Sequence, residues 1–135
     1  MSSREQPETQ GAQPPVEGTV CEEIIVVQFW FAGNLEEPVS AAHFKFEGAW
    51  RRLCFDTGII FWREGDGPPV ASAAPEMQTE YRLHDVGRKH GLIGLRLASI
   101  DSEVTPGGAR VVLRFQCGRT AIFFDENDRS DYVCE

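Results

Sequence analysis

Alternation of apolar and polar side chains divides much of the chain into short strand-like segments. The clearest of these segments are rich in β-branched and aromatic residues and lie at 21–31, 43–47, 50–55, 59–63, 110–116 and 120–124. Tight-turn sequences join two pairs of them: Asp56-Thr57-Gly58 in the first and Cys117-Gly118-Arg119 in the second. Two β-hairpins are therefore predicted, and hairpins favour an antiparallel sheet.

Other segments of the chain carry a mixed signal. Asn34 followed by Glu37 matches a helix-capping pattern and predicts a short helix over Leu35 to Ala42. Residues 75–86 suit either a helix or a strand, and the alternation at 79–83 favours the strand. Residues 64–74 are mostly Gly, Pro, Ala and Ser, which predicts a surface loop, and residues 132–134 predict a short edge strand.

These elements predict a mainly β fold, with α+β as the alternative. The expected architecture is a single antiparallel curled sheet or a small barrel-like sandwich with at most one or two short helices. Residues 1–18 contain almost no large apolar side chain and predict a disordered N-terminal tail. Residues 19–135 are predicted to form one β-rich domain, a size that needs no metal or disulfide to fold.

The charge of the chain makes one class of partner unfavourable. The net charge of the chain is −8. Residues 125–135 contain five acids and one arginine, so this segment alone carries a net charge of −4, half of the total. This balance disfavours binding to nucleic acid phosphates. No apolar run is long enough to span a membrane, and the N-terminus lacks a signal-peptide pattern, so we expect a cytoplasmic protein.

The four cysteines are widely spaced along the chain, at Cys21, Cys54, Cys117 and Cys134. Each lies among strand-like residues, which predicts buried, reduced thiols in a cytoplasmic setting. A disulfide and a zinc site are the alternatives. The zinc alternative lacks the close ligand pairs that such sites use.

The segment Leu53-Cys54-Phe55-Asp56-Thr57-Gly58 resembles the active-site turn of aspartic proteases. That resemblance implies a homodimeric enzyme in which two copies of Asp56 activate water, with Leu92-Ile93-Gly94 as the later segment of the family. Ile59 stands where the family usually has Ala or Ser. The simpler interpretation is a hairpin turn, which Asp-Thr-Gly favours by itself.

The remaining polar residues form no recognised catalytic or metal-binding motif. His43, His84 and His90 are interpreted as surface or turn residues. The acids of residues 125–131 lack the central glycine and closing glutamate of an EF-hand loop. We therefore predict no cofactor and no bound metal, and an enzyme is the less favoured class.

The C-terminal segment from Val111 to Glu135 resembles the closing hairpin and acidic tail of small bacterial immunity-type proteins. The resemblance implies a protein that neutralises a toxin by covering its active site. We accordingly expect a non-catalytic protein-binding module whose acidic face meets a basic partner, with residues Asp125, Glu126, Asp128, Asp131, Trp30 and Trp62 at the interface. The alternatives are a small-ligand-binding β-barrel lined by Phe, Trp and Leu and an aspartic-protease-like homodimer that uses Asp56.

Overall fold

The computed structural model describes residues 6–135 and arranges them in two β-sheets. The strands of this range are β1 (Thr9–Gln10), β2 (Cys21–Phe31), β3 (Asn34–Phe46), β4 (Ala49–Asp56), β5 (Ile59–Glu64), β6 (Ser72–Ala74), β7 (Thr79–Asp85), β8 (Leu97–Thr105), β9 (Gly108–Phe115), β10 (Thr120–Glu126) and β11 (Arg129–Cys134). Its helical residues form a 3-10 turn at Pro75–Met77 and a single α-helical turn, α1, at Val86–Lys89. The predicted mainly β fold with at most short helices is confirmed.

The two sheets differ in size but share an antiparallel design. The larger sheet has seven strands in the order β1-β5-β4-β3-β2-β7-β6, and the smaller has four in the order β11-β10-β9-β8. Strand β1 runs parallel to β5, whereas the other pairs are antiparallel. Both predicted hairpins form, as β4–β5 and β9–β10.

The apolar faces of the two sheets pack against each other and form the core. The larger sheet contributes the buried residues Ile24, Val26, Phe44, Leu53, Ile60 and Trp62, and the smaller contributes Val111, Leu113, Phe115 and Phe123. The rings of Phe44 and Phe123 meet edge to face across the interface, with centroids 5.1 Å apart. Removal of these side chains from water is the main driving force for folding, so the molecule is a filled two-sheet sandwich.

The predicted helix over residues 35–42 is wrong, because this segment belongs to strand β3. Strand β3 pairs with β2 on one side and β4 on the other. Asn34 opens the strand directly after the Ala32-Gly33 turn, where both residues have positive φ. Strand pairing on both sides outweighs the weak capping signal of one Asn and one Glu. In the second ambiguous segment, the favoured strand is correct from Thr79 to Asp85, after the 3-10 turn.

The structure also differs from the prediction of a disordered tail over residues 1–18. Residues 1–5 lie outside the described range, but Thr9–Gln10 forms β1 on the edge of the larger sheet. Val16 is 3% exposed and belongs to the core. The side-chain amide of Gln13 donates to the carbonyl of Ile100 at 3.1 Å. One buried valine and a few backbone contacts are enough to attach a segment whose average composition predicts disorder.

The four cysteines are free thiols, but they are not uniformly buried. Cys21 is buried, Cys54 and Cys134 are half-buried, and Cys117 is exposed in the β9–β10 turn. Burial, with added repulsion from Glu22 and Glu23, raises the pKa of Cys21 to about 12, so this thiol stays protonated. The prediction of buried cysteines therefore describes Cys21 and is wrong for Cys117. In residues 6–135, no helix has the length and apolar character needed to cross a bilayer.

Candidate functional site

A pocket of about 260 Å³ opens where the two sheets meet. Its wall comes from strand β3, from the β4–β5 turn and from the β10–β11 hairpin. The lining residues are Glu37, Val39, Ser40, Phe55, Asp56, Thr57, Asp125, Asp128 and Ser130. We call this site the acidic pocket, because four of its lining residues carry a carboxyl group and none is a lysine or arginine.

Two tight turns form the rim of the acidic pocket. Thr57 and Gly58 have φ values of 49° and 80°, and Asn127 and Asp128 have φ values of 53° and 65°. Positive φ at both central residues is typical of two-residue hairpin turns, and Gly and Asn reach it with little strain. The sequence-based interpretation of Asp56-Thr57-Gly58 as a hairpin turn agrees with this geometry.

A buried carboxylate ties these two turns together. Asp125 is 2% exposed. Its Oδ2 accepts a hydrogen bond of 2.9 Å from the backbone N–H of Gly58, and its Oδ1 accepts one of 3.4 Å from the Ser130 hydroxyl. Because buried polar groups need partners, this arrangement fixes the pocket wall. Asp125 thus differs from its predicted role as an exposed interface acid.

Glu37 is the acid of the pocket that the sequence analysis did not identify. It lies on β3 of the larger sheet, and its Oε1 accepts a short hydrogen bond from the backbone N–H of Ser130 in the smaller sheet. Partial burial raises the pKa of Glu37, because desolvation disfavours its ionised form. The charges of Asp125 and Asp131 act in the same direction, while the Ser130 N–H and Arg129 oppose it. The pocket therefore contains a carboxyl group that takes up a proton more readily than usual.

The other predicted interface acids have different surroundings. Asp128 is exposed and lines the pocket, as does Asp56. Glu126 is exposed but lies outside the pocket lining. Asp131 is half-buried, and its Oδ1 accepts a hydrogen bond of 2.7 Å from the backbone N–H of Tyr132. Asp56 and Asp128 thus contribute the exposed acid side chains of the pocket.

The two tryptophans proposed for the interface lie outside this pocket. Trp62 is 5% exposed and packs against Phe44, so its expected place on an exposed surface is wrong. Trp30 is half-buried, and the guanidinium carbon of Arg82 lies 4.0 Å from its ring centroid. Trp30 lines a separate pocket of about 250 Å³ between the β2–β3 turn and the segment around Pro75. The structure therefore brings neither indole to the acidic pocket.

His90 lies in the turn after α1, as predicted, whereas His43 and His84 lie on strands. His43 is buried on β3, where desolvation and the charge of Arg52 lower its pKa. His84 and His90 meet at one tyrosine: their Nε2 atoms lie 2.9 Å and 3.0 Å from the hydroxyl oxygen of Tyr132. This group is called the His–Tyr–His cluster below. Within residues 6–135, no group of three or more His, Cys, Asp or Glu side chains is arranged to hold a metal ion.

The later segment of the protease resemblance does not join Asp56. Leu92 is a core residue, and neither it nor the following Ile93 and Gly94 line the acidic pocket. Comparisons of the chain with protein-family models, with curated proteins and with solved structures gave no match.

Proposed function

We propose that this chain is a non-catalytic protein-binding module that holds a basic side chain of its partner in the acidic pocket. The observation that carries the proposal is the composition of the pocket wall, with the carboxyl groups of Glu37, Asp56, Asp125 and Asp128 and no lysine or arginine. The net charge of −8 adds long-range attraction for a basic surface. An immunity-type inhibitor that covers a basic toxin site is the form of this function that the C-terminal resemblance suggests.

Arginine is the side chain whose chemistry best matches the pocket. Its planar guanidinium presents five N–H donors, which carboxylates and hydroxyls can accept. The hydroxyls of Ser40 and Thr57 lie beside the carboxyl groups, and Val39 and Phe55 offer apolar surface to the arginine stem. Hydrogen bonds between ionised partners are stronger than neutral ones, so one inserted side chain can anchor a larger interface.

The size of the pocket favours a side chain over a free small molecule. At about 260 Å³, it falls below the range of roughly 300–1,000 Å³ that is common for small-molecule sites. The space between the sheets is filled by core residues such as Phe44 and Phe123, which gives the ligand-binding alternative little support. The proposal also places the chain in the cytoplasm. Its four free thiols are compatible with that reducing compartment.

A matched pair of double variants tests the proposal. The pocket variant is Asp56→Asn with Asp128→Asn, and the control is Glu36→Gln with Glu76→Gln, which removes the same charge at exposed positions outside the pocket. The probes are fluorescent hexa-arginine and hexa-glutamine peptides, whose binding is measured by fluorescence polarisation at two salt concentrations.

The pocket variant should bind hexa-arginine at least about tenfold more weakly than the wild type, because contacts between charged groups are lost. The control should lose less than about threefold, and that loss should vanish at high salt because distant charges are screened. Equal losses in both variants would mean that only net charge matters and would refute the pocket as the site.

A further inference from the structure

We propose that the His–Tyr–His cluster is a pH-sensitive latch that holds strand β11 against the larger sheet and loosens when both imidazoles are protonated. The latch joins three separate elements: His84 lies on β7, His90 directly follows α1, and Tyr132 lies on β11, the edge strand of the smaller sheet. One hydrogen bond therefore links an edge strand to the opposite sheet, and the other links it to the turn that follows α1. The inference concerns the attachment of β11 and does not depend on the partner of the acidic pocket.

Counting protons shows why the latch accommodates one positive charge better than two. The phenol hydroxyl can donate one hydrogen bond and accept others. With both imidazoles neutral, one donates its Nε2–H to the phenol oxygen and the other accepts the phenol proton. With one imidazolium, the charged ring donates, the neutral ring accepts, and both hydrogen bonds persist.

A second proton removes the only acceptor of the phenol proton in this group. Both Nε2 atoms then carry hydrogen, and the phenol O–H has no partner in the cluster. Two imidazolium charges also lie on either side of one oxygen atom, which disfavours this state further. Both Nε2–H groups can still donate to the phenol oxygen, so the doubly protonated cluster is disfavoured by the repulsion of its two charges and by the phenol proton, which must find a partner outside the cluster. Movement of Tyr132 away from the histidines relieves both.

The surrounding charges also oppose a second proton. Lys89 lies near both histidines, and Arg119, in the β9–β10 turn, lies near His90. Asp85 beside His84 favours protonation, but its carboxylate already accepts hydrogen bonds of 3.0 Å from the backbone N–H and the Nε of Arg88. On β11, the titratable groups next to Tyr132 are Asp131 and Cys134.

Movement of Tyr132 would reach the core of the sandwich. The Tyr132 ring stacks on Phe123 at a centroid distance of 6.0 Å, and Phe123 in turn packs on Phe44 of the larger sheet. Ser130, two residues earlier on β11, donates its N–H to Glu37 in the acidic pocket. Loosening of β11 at acidic pH therefore extends from the cluster to that pocket wall.

Amide hydrogen exchange of the full chain, followed by NMR, tests the latch. Protection is compared at about pH 7.5 and about pH 5, on either side of the ordinary histidine pKa, after correction for the intrinsic effect of pH. The backbone amides of β11 that pair with β10 are the reporters, and those of β9, in the middle of the smaller sheet, are the reference. In the wild type, the protection factors of the β11 amides should fall about tenfold from the higher to the lower pH, a factor that corresponds to one pKa unit. The protection factors of the β9 amides should fall less.

Three variants distinguish the loss of the latch from a general loss of stability at acidic pH. His90→Gln keeps a hydrogen-bonding side chain that does not titrate, so the acid response of β11 should shrink to less than about twofold. Tyr132→Phe should lower protection at both pH values and abolish the pH response. His43→Gln, the control, removes the histidine on β3 outside the cluster and should leave the response of β11 intact. A wild-type-sized response in His90→Gln, or equal losses of protection in β9 and β11, would overturn the proposal.

Discussion

Strand β11 places two kinds of ionisable cluster only two residues apart. Ser130 faces the carboxyl groups of Glu37 and Asp125, whereas Tyr132 faces the imidazoles of His84 and His90. Residues two apart on a strand share a face, so both clusters form in the same interface between the sheets. The comparison shows that partial burial can oppose charge of either sign: desolvation raises the pKa of Glu37 and lowers that of both histidines.

The two clusters therefore respond to pH in opposite directions. A carboxyl group with a raised pKa contributes most to stability at low pH, and this contribution decreases as the pH rises through its folded-state pKa. A histidine with a lowered pKa contributes fully above its ordinary pKa, and this contribution is lost as the pH falls toward its folded-state pKa. Three sets of variants test this opposition between the clusters.

The largest expected effect comes from removing the structural carboxylate of the acidic cluster. Asp125→Ala leaves the backbone N–H of Gly58 without its partner, at an expected cost of about 1–3 kcal/mol in the free energy of unfolding. Asp128→Asn, at an exposed acid of the same pocket, keeps a residue type that tolerates the positive φ of this turn and should change that free energy by less than about 0.5 kcal/mol. Urea unfolding of both variants measures the difference. Similar small effects would show that Asp125 does not fasten the two turns.

An intermediate effect is expected from the imidazole cluster. Its histidines bind fewer protons in the folded than in the unfolded chain near their ordinary pKa of about 6.5, so the unfolding free energy should fall as the pH drops from about 8 to 5. After allowance for solvent screening, the contribution of the pair should be about 1 kcal/mol. The double variant His84→Gln with His90→Gln should show a shallower dependence in urea titrations. A slope as steep as that of the wild type would assign the acid sensitivity to other groups, such as His43.

The smallest expected effect belongs to Glu37. Glu37→Gln keeps an oxygen that can accept from the Ser130 N–H but removes the titration. Because the pKa of Glu37 is raised, the variant should gain stability relative to the wild type as the pH rises from about 4 to 7. Solvent screening at this half-exposed group keeps the gain below about 1 kcal/mol. A relative loss of stability over the same range would contradict the direction of the shift.

Local patterns in the sequence predict most of the fold but only part of the site. The hairpins at Asp56-Thr57-Gly58 and Cys117-Gly118-Arg119 follow from alternation and turn chemistry over a few residues. The strand at 35–42 could not be predicted this way, because pairing with β2 and β4 outweighs its local capping signal.

The two clusters depend on contacts that no local pattern records. Tyr132 is 48 residues from His84 and 42 from His90 in the sequence. Glu37 is 93 residues from Ser130, and its own segment resembles the start of a helix. The acidity of residues 125–135 draws attention to the β10–β11 hairpin, which lines the acidic pocket. It cannot show that Asp125 points inward and Asp128 outward, since the register of β10 and β11 decides that.

Strand β1 has a consequence for the solubility of the molecule. An uncovered sheet edge presents unpaired N–H and C=O groups that can template the addition of another chain and so promote aggregation. Here the N–H of Ile60 on β5 donates to the carbonyl of Glu8 at 2.9 Å, and β1 pairs with Ile60 and Phe61, which covers part of that edge of the larger sheet. The opposite edge is β6, so the sheet ends in strands of two and three residues. The N-terminal segment therefore shortens the edge of β5 that is free to pair with another chain, which lowers the tendency to aggregate.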